Sequence, residues 1–148
     1  GAMKKNIELS KLYQERFKGM EDYRMKVWKF LCNDFFQSLI DPSGNILDVG
    51  SGYGEFIKNI NVKKKYAIDL NPDGKYIFRN SDVIFVNKDC SKKWDFDSDF
   101  FDTIFSSNFL EHLHSKRQVE FVIEESFRCL KKGGNLILMG PKIPISTR

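Results

Sequence analysis

The chain has 148 residues, enough for one substantial hydrophobic core and too few for two independent ones. With 41% hydrophobic and 30% charged residues it has a globular composition, and a dispersed formal charge of +4 offers no strong electrostatic track for nucleic acid. No apolar run approaches the roughly 20 residues of a membrane span and no signal peptide is visible; Cys32, Cys90 and Cys129 form neither a CxxC pair nor a zinc spacing, which reads as reduced thiols in a cytoplasmic protein.

The opening Gly-Ala-Met reads as the remnant of a cleaved tag, so the pattern is read from Lys4 onward. From about Lys4 to Ile40 the pattern is helical: Tyr23, Val27, Leu31, Phe35 and Leu39 recur every four residues, widened by Trp28, Phe36 and Ile40. Asp41-Pro42-Ser43-Gly44 stops this N-terminal helical layer, so residues 1–44 are expected to precede a core over residues 45–148 in a single domain. Fourteen phenylalanines predict an aromatic interior. Lys63, Lys64 and Lys65 form the longest cationic run and read as a solvated loop.

From Asn45 onward, short apolar runs alternate with helical stretches. Asn45–Val49, Tyr66–Leu70, Val83–Asn87, Phe101–Ser106 and Asn135–Met139 have the length and the β-branched or aromatic content of buried strands. Helices are expected at Glu55–Ile60 and at Phe109–Leu130, the latter with Val119, Val122, Ile123, Ser126 and Leu130 on one face. Lys131-Lys132-Gly133-Gly134 reads as its C-terminal cap. The alternation predicts a parallel α/β sheet covered on both faces. Only about a dozen residues separate the third and fourth runs, so that crossover is abbreviated.

Asp48-Val-Gly50-Ser-Gly52-Tyr-Gly54 falls where the first strand turns into the following segment. Alternate glycines permit a sharp bend and close approach to a ligand, at the carboxyl end of a strand where open α/β sheets bind. A helix beginning near Glu55 would point free N–H groups into the same crevice. The dinucleotide pattern GxGxxG fails: its third glycine is Glu55 read from Gly50, or Ile57 read from Gly52. Asp48 and Glu55 would repel a pyrophosphate, whereas a ligand carrying a sulfonium and an ammonium is favoured by them.

The segment resembles motif I, DxGxGxG, of class I S-adenosylmethionine-dependent methyltransferases of small-molecule type, and the resemblance runs from Asn45 to Gly140. Phe101-Asp102-Thr-Ile continuing to Glu111-His112-Leu is similar to the FDxI…EHL stretch of that family, and Leu130-Lys-Lys-Gly133-Gly134 to its LKPGG turn. The resemblance implies a Rossmann-like three-layer sandwich with a mainly parallel sheet of five visible strands. It also implies S-adenosyl-L-methionine as cofactor, with S-adenosyl-L-homocysteine as product. The implied cofactor residues are Asp48, Gly50, Ser51, Gly52, Tyr53 and Gly54 in the loop, Asp69 and Leu70 after the second strand, Asp89 and Cys90 after the third, and Asn108 after the fourth. In this scheme Asp69 holds the ribose hydroxyls, Asp89 meets the adenine amino group, and Cys90 offers its backbone N–H beside the ring. His112 is the candidate general base, with Glu111 and His114 as weaker ones. No metal is expected, since Asn108 replaces the first Glu of the Glu-x-x-Glu-His arrangement of some relatives. Tyr13, Arg16 and Phe17 are candidates for a lid, with Arg16 facing the cofactor carboxylate.

The [DN]PP[YF] tetrapeptide of many DNA methyltransferases is absent where Ser106-Ser-Asn-Phe109 stands, so the expected acceptor is a small molecule, with no nucleic acid and no membrane partner. Family domains usually add two strands beside the fifth. Those C-terminal strands are expected to be missing here, which a truncated chain, a disordered segment, or a homodimer or other partner covering the fifth-strand edge would each explain. A binding module without turnover therefore stays open as a second reading. A nicotinamide-dependent oxidoreductase is a third, which the glycine spacing opposes.

Overall fold

A computed structural model describes residues 1–107 and 113–140, apart from the side chains of Tyr13, Gln14 and Phe17. Its elements are α1 (Ala2–Asp34), a 3-10 turn (Phe36–Leu39), β1 (Asn45–Val49), β2 (Lys64–Asp69), α2 (Gly74–Ile77), β3 (Val83–Asn87), β4 (Phe101–Ser106), α3 (Lys116–Cys129) and β5 (Leu130–Leu138). The five strands form one parallel sheet in the order β3-β2-β1-β4-β5, with β1 at its centre. This is the expected Rossmann-like arrangement: consecutive strands cross over, and both faces of the sheet are covered.

Strand alternation sorts the core into two layers. Ile46 of β1, Ala67 of β2 and Phe105 of β4 face α1 and the turns after β1, where they meet Cys32, Phe36, Ile40, Phe56 and Phe78. Leu47, Val49, Ile68 and Ile104 face the opposite layer, with Trp94, Phe101, Val122 and Cys129. The expected aromatic interior occupies both. Phe56 stacks on Phe105 and is flanked edge-on by Trp28 and Phe36 on one side of the sheet; Tyr66, Phe96, Phe100 and Phe101 interlock edge-on on the other. Asp48 shares the face of Ile46, and so a carboxylate lies inside the first layer at 2% exposure.

Several expectations are corrected. The N-terminal stripe is displaced by one residue: Cys32, Phe36 and Ile40 are buried and Trp28 half-buried, whereas Tyr23, Val27, Phe35 and Leu39 are exposed. Leu31 of the expected row stays half-buried, so the face that meets the sheet runs over Trp28, Leu31 and Cys32 inside α1 and continues through Phe36 and Ile40 after the helix ends at Asp34. No regular helix forms over Glu55–Ile60; hydrogen-bonded turns from Gly54 to Ile60 replace it. Lys65 is not solvated. It is 7% exposed, and its ammonium donates to the carbonyls of Ile57 (2.9 Å) and Lys58 (3.4 Å), tying the last of those turns to β2.

Helix α3 begins at Lys116 because Ser115 caps it: Ser115 Oγ accepts from the Gln118 amide, and Gln118 Oε1 accepts from the His114 amide. The remainder of the expected helix includes residues 108–112, outside the described residues. Lys131–Gly134 is no helix cap. The helix ends on extended Leu130, and Gly133 (φ +83°) lies in a bulge that accommodates extra residues of β5, where Leu130 pairs with Phe101 and Asn135 with Thr103. The abbreviated crossover between β3 and β4 is present as expected, without a helix or strand from residue 88 to 100. Among the described residues no helix is long and apolar enough to cross a membrane.

Candidate functional site

β1 delivers Asp48 and then the glycine loop to the carboxyl edge of the sheet. Gly50, Gly52 and Gly54 all have positive φ (71°, 54° and 76°), so the loop turns back at each alternate residue. The turns are secured from within: the Gly50 and Ser51 amides donate to the Ile68 carbonyl, the Gly52 amide to Asp69 Oδ2 (2.9 Å), and the Gly54 amide to the Ser51 carbonyl. These four amides are therefore already bonded, so of the N–H groups expected to face the crevice those of Gly50, Ser51, Gly52 and Gly54 are taken. The loop instead presents oxygens.

A cavity of about 640 Å³ opens beside it, walled by Asp48, Ser51, Gly52 and Tyr53 from the loop side and by Met20, Arg24, Met25 and Trp28 from α1. Asp48 Oδ1 and Ser51 Oγ are buried in this wall without a hydrogen-bond partner. An unpartnered buried polar atom is costly, so two at one cavity mark a position for a ligand donor. Burial above all, and then the charges of Asp69 and Glu55, push the Asp48 carboxyl well above the ordinary carboxylate range. A cationic group entering the cavity would reverse that. No atom within 4 Å would meet a Cβ on Gly52, whereas one on Gly54 would lie 2.5 Å from Phe78 Cε1.

Asp69, at the end of β2, is only half-buried; its Oδ2 holds Gly52 and its Oδ1 the Asn71 amide (2.8 Å). Asn87 ties the end of β3 to the same place, donating to the carbonyls of Asp69 and Leu70 at 2.9 Å each. Asp89 follows, its Oδ1 accepting from the amide and hydroxyl of Ser91, which hold its carboxyl below the usual range. Cys90 is half-buried and its thiol is pushed up to about 11, chiefly by burial. Leu70 and Tyr53 are exposed at the rim. Asp69, Leu70, Asp89 and Cys90 thus line the strand ends next to the cavity rather than the cavity itself.

Asn108, Glu111 and His112 lie outside the described residues. His114 is exposed, with its backbone engaged in the α3 cap. Arg16 is exposed and does not line the cavity; Arg24, two turns further on, does. Its guanidinium grips Glu55 through two bonds of 2.8 and 3.2 Å, clamping α1 against the segment after the loop. Nothing in local patterning singles out Arg24, since its partner is 31 residues away. Among the described residues no group of three His, Cys, Asp or Glu could hold a metal ion.

Parallel sheet order, a triple-glycine loop after β1 and an acidic residue after β2 together define a class I methyltransferase domain, the class whose methyl donor is S-adenosyl-L-methionine. The chain belongs to the methyltransferase domain family, whose model matches residues 20–145. No curated protein matches the sequence. Among solved structures, the chain is similar to a Bacillus halodurans protein assigned as a methyltransferase, with 25% identity and a TM-score of 0.63 over 72% of this chain and 48% of that one. It also resembles in fold the N-methyltransferase NodS of Bradyrhizobium japonicum, solved with S-adenosyl-L-homocysteine (22% identity, TM-score 0.60, 80% of this chain and 60% of that one). The phosphoethanolamine N-methyltransferase of Haemonchus contortus, solved with phosphoethanolamine and S-adenosylhomocysteine, shares the fold at 17% identity and a TM-score of 0.64, over 77% of this chain and 25% of that one. The chain spans about half the length of the Bacillus protein.

Proposed function

We propose that the chain binds S-adenosyl-L-methionine along the carboxyl ends of β1, β2 and β3 and serves in methyl transfer to a small-molecule acceptor. The observation that carries this reading is the pair of unpartnered buried oxygens, Asp48 Oδ1 and Ser51 Oγ, in the wall of a cavity beside an open glycine loop. A pyrophosphate would meet the carboxyl groups of Asp48 and Glu55 in the cavity wall, and the amides of Gly50, Ser51, Gly52 and Gly54 are already bonded within the chain. A ligand with an ammonium group suits the oxygens that remain.

In this reading Asp48 and Ser51 accept from the cofactor's ammonium, and Arg24 faces its carboxylate. Asp69 accepts from the ribose hydroxyls with the lone pairs left over from Gly52 and Asn71. Asp89 accepts from the adenine amino group and the Cys90 amide stands beside the ring, with Leu70 and Tyr53 covering the rim. Gly50, Gly52 and Gly54 keep the loop low enough for this approach. Asn108 and His112 are assigned from the sequence alone, Asn108 to the cofactor and His112 as a base for an acceptor that must lose a proton. The cofactor supplies a methyl group on positive sulfur, so the protein's task is to align the acceptor and exclude water. The helical layer of residues 1–44 walls the site, and residues 45–148 form the cofactor-binding core. The Haemonchus enzyme, similar in fold, was solved with phosphoethanolamine, a small molecule, which is in keeping with that acceptor class.

Calorimetric titration with S-adenosyl-L-homocysteine and NADH tests the cofactor assignment: the first is expected to bind and the second not. Binding of NADH alone overturns it. A screen of small acceptors with methyl-labelled cofactor then tests turnover, and binding without transfer to any of them favours the module reading.

A further inference from the structure

The segment from residue 88 to 100 has to travel from β3, at one edge of the sheet, past β2 and β1 to β4, about 14 Å sideways at ordinary strand spacing. It does so without a helix, so its backbone groups need partners from elsewhere. Helix α3 supplies them. Arg128 donates to the carbonyls of Trp94 (3.1 Å) and Phe96 (3.0 Å), and Glu125 Oε2 accepts from the Trp94 amide at 2.9 Å. The two side chains are joined to each other by bonds of 2.8 and 3.0 Å. Trp94, at 1% exposure, is therefore held on both sides of its backbone, and its indole N–H donates to the Cys90 carbonyl at 2.8 Å.

That last bond reaches the turn assigned to the adenine. Asp89 Oδ1 is engaged by Ser91, which leaves Oδ2 to accept from the ligand, and the Cys90 carbonyl fixes where the turn lies. Resting on the cofactor reading above, we propose that Trp94, clamped by Glu125 and Arg128, is a positioning residue that sets recognition of the purine 6-amino group at the Asp89–Cys90 turn. The turn's other bonds, from the Lys92 amide to the Asp89 carbonyl and from Ser91 to Asp89 Oδ1, lie within it, whereas the indole N–H ties it to the clamped Trp94 with a defined direction. A carboxylate placed for an amino donor repels the 6-oxo group of hypoxanthine, so correct placement reads out as discrimination and not only as affinity.

The test titrates S-adenosyl-L-homocysteine and its inosine analogue, S-inosyl-L-homocysteine, into the full chain and into Trp94→Phe, which keeps an aromatic ring and removes the N–H. The wild-type protein is expected to prefer the adenosyl ligand by roughly 30-fold or more. In Trp94→Phe the adenosyl affinity falls about tenfold while the inosyl affinity is unchanged, so the preference collapses. Arg128→Lys, which keeps the charge and loses the fork, is expected to narrow the preference in the same direction and serves if Trp94→Phe does not fold. Equal weakening of both ligands, or an unaltered ratio in a folded variant, overturns the proposal by reducing Trp94 to a packing role. Equal binding of the two ligands to the wild-type protein also overturns it while leaving the cofactor assignment standing. If neither ligand binds the wild-type protein, the cofactor assignment itself fails and the proposal with it.

Discussion

Gly52 and Gly54 both have positive φ, yet the structure predicts opposite consequences for replacing them. At Gly52, alanine would adopt φ near +54° with no atom within 4 Å of its Cβ. The cost to the fold is the left-handed penalty alone, about 1–2 kcal/mol, which in a chain of this size lowers Tm by roughly 2–8 °C. The new methyl group would nonetheless stand in the wall of the cavity, against the ligand. Displacing a bound cofactor enough to lose two good hydrogen bonds costs about 2–3 kcal/mol, or roughly 30- to 150-fold in affinity. At Gly54 the same backbone penalty applies, and the Cβ would also lie 2.5 Å from Phe78 Cε1 and 2.9 Å from Cζ. Phe78 is 4% exposed and hemmed in, so overpacking adds about 1–3 kcal/mol. Thermal melts without ligand and calorimetric titration with S-adenosyl-L-homocysteine separate the two: Gly52→Ala keeps most of its stability and loses binding, whereas Gly54→Ala loses more stability. A Gly52→Ala protein that binds within threefold of wild type, or that melts below Gly54→Ala, refutes the argument.

Asp48→Asn tests the buried carboxylate. Its folded pKa is raised well above the ordinary 3.8, by burial first and then by Asp69 and Glu55, so the native state keeps a proton that the unfolded chain has lost. Stability without ligand is therefore complete below the unfolded pKa and declines as pH rises from there through the raised value. The asparagine variant is expected to melt higher than wild type at neutral pH, to lose this decline, and to bind the cofactor more weakly; an equally pH-dependent melt contradicts it. Asp69→Ala frees the Gly52 and Asn71 amides as well as removing the ribose acceptor, and should weaken S-adenosyl-L-homocysteine binding about 30-fold or more with cooperative unfolding retained. Unchanged affinity in both Asp69→Ala and Gly52→Val would sink the pocket assignment. Lys65→Met strips the Ile57 carbonyl of its ammonium donor, and urea unfolding should show a loss of about 1–3 kcal/mol; a loss under about 0.5 kcal/mol would mean the carbonyl finds another partner.

β1, β3 and β4 were legible to the residue because each is a short run rich in β-branched or aromatic residues with a polar residue or turn at its ends; β1 and β4 are buried on both faces, while edge strand β3 exposes Ile84. Boundaries failed where a tertiary partner decided them. The row of α1 that meets the sheet, Trp28, Leu31 and Cys32, is chosen by the strands it packs on among several apolar rows that periodicity leaves equivalent. Lys65 looked like the last of three solvated lysines until β2 carried it under the carbonyls of Ile57 and Lys58. The glycine loop was visible from its spacing, but the hydrogen bonds that occupy the Gly50, Ser51 and Gly52 amides come from Ile68 and Asp69, on another strand. Likewise Arg24 reaches the cavity only because a helix 31 residues upstream of Glu55 packs beside it.

Trp28 has two neighbours at once: it packs toward the sheet face that carries Phe105 and it walls the cavity. Among the described residues, the contacts that hold roughly 50 Å of helix lie in its carboxyl-terminal half. Docking of α1 and occupancy of the cavity are then linked equilibria, because any ligand that touches this wall binds the docked state and not the undocked one. A ligand at one hundred times its dissociation constant would favour docking by about 2.7 kcal/mol. The segment after the glycine loop would share in that gain through the Arg24–Glu55 clamp, so a molecule bound at the strand ends would slow amide exchange in a helix that precedes the sheet in the chain.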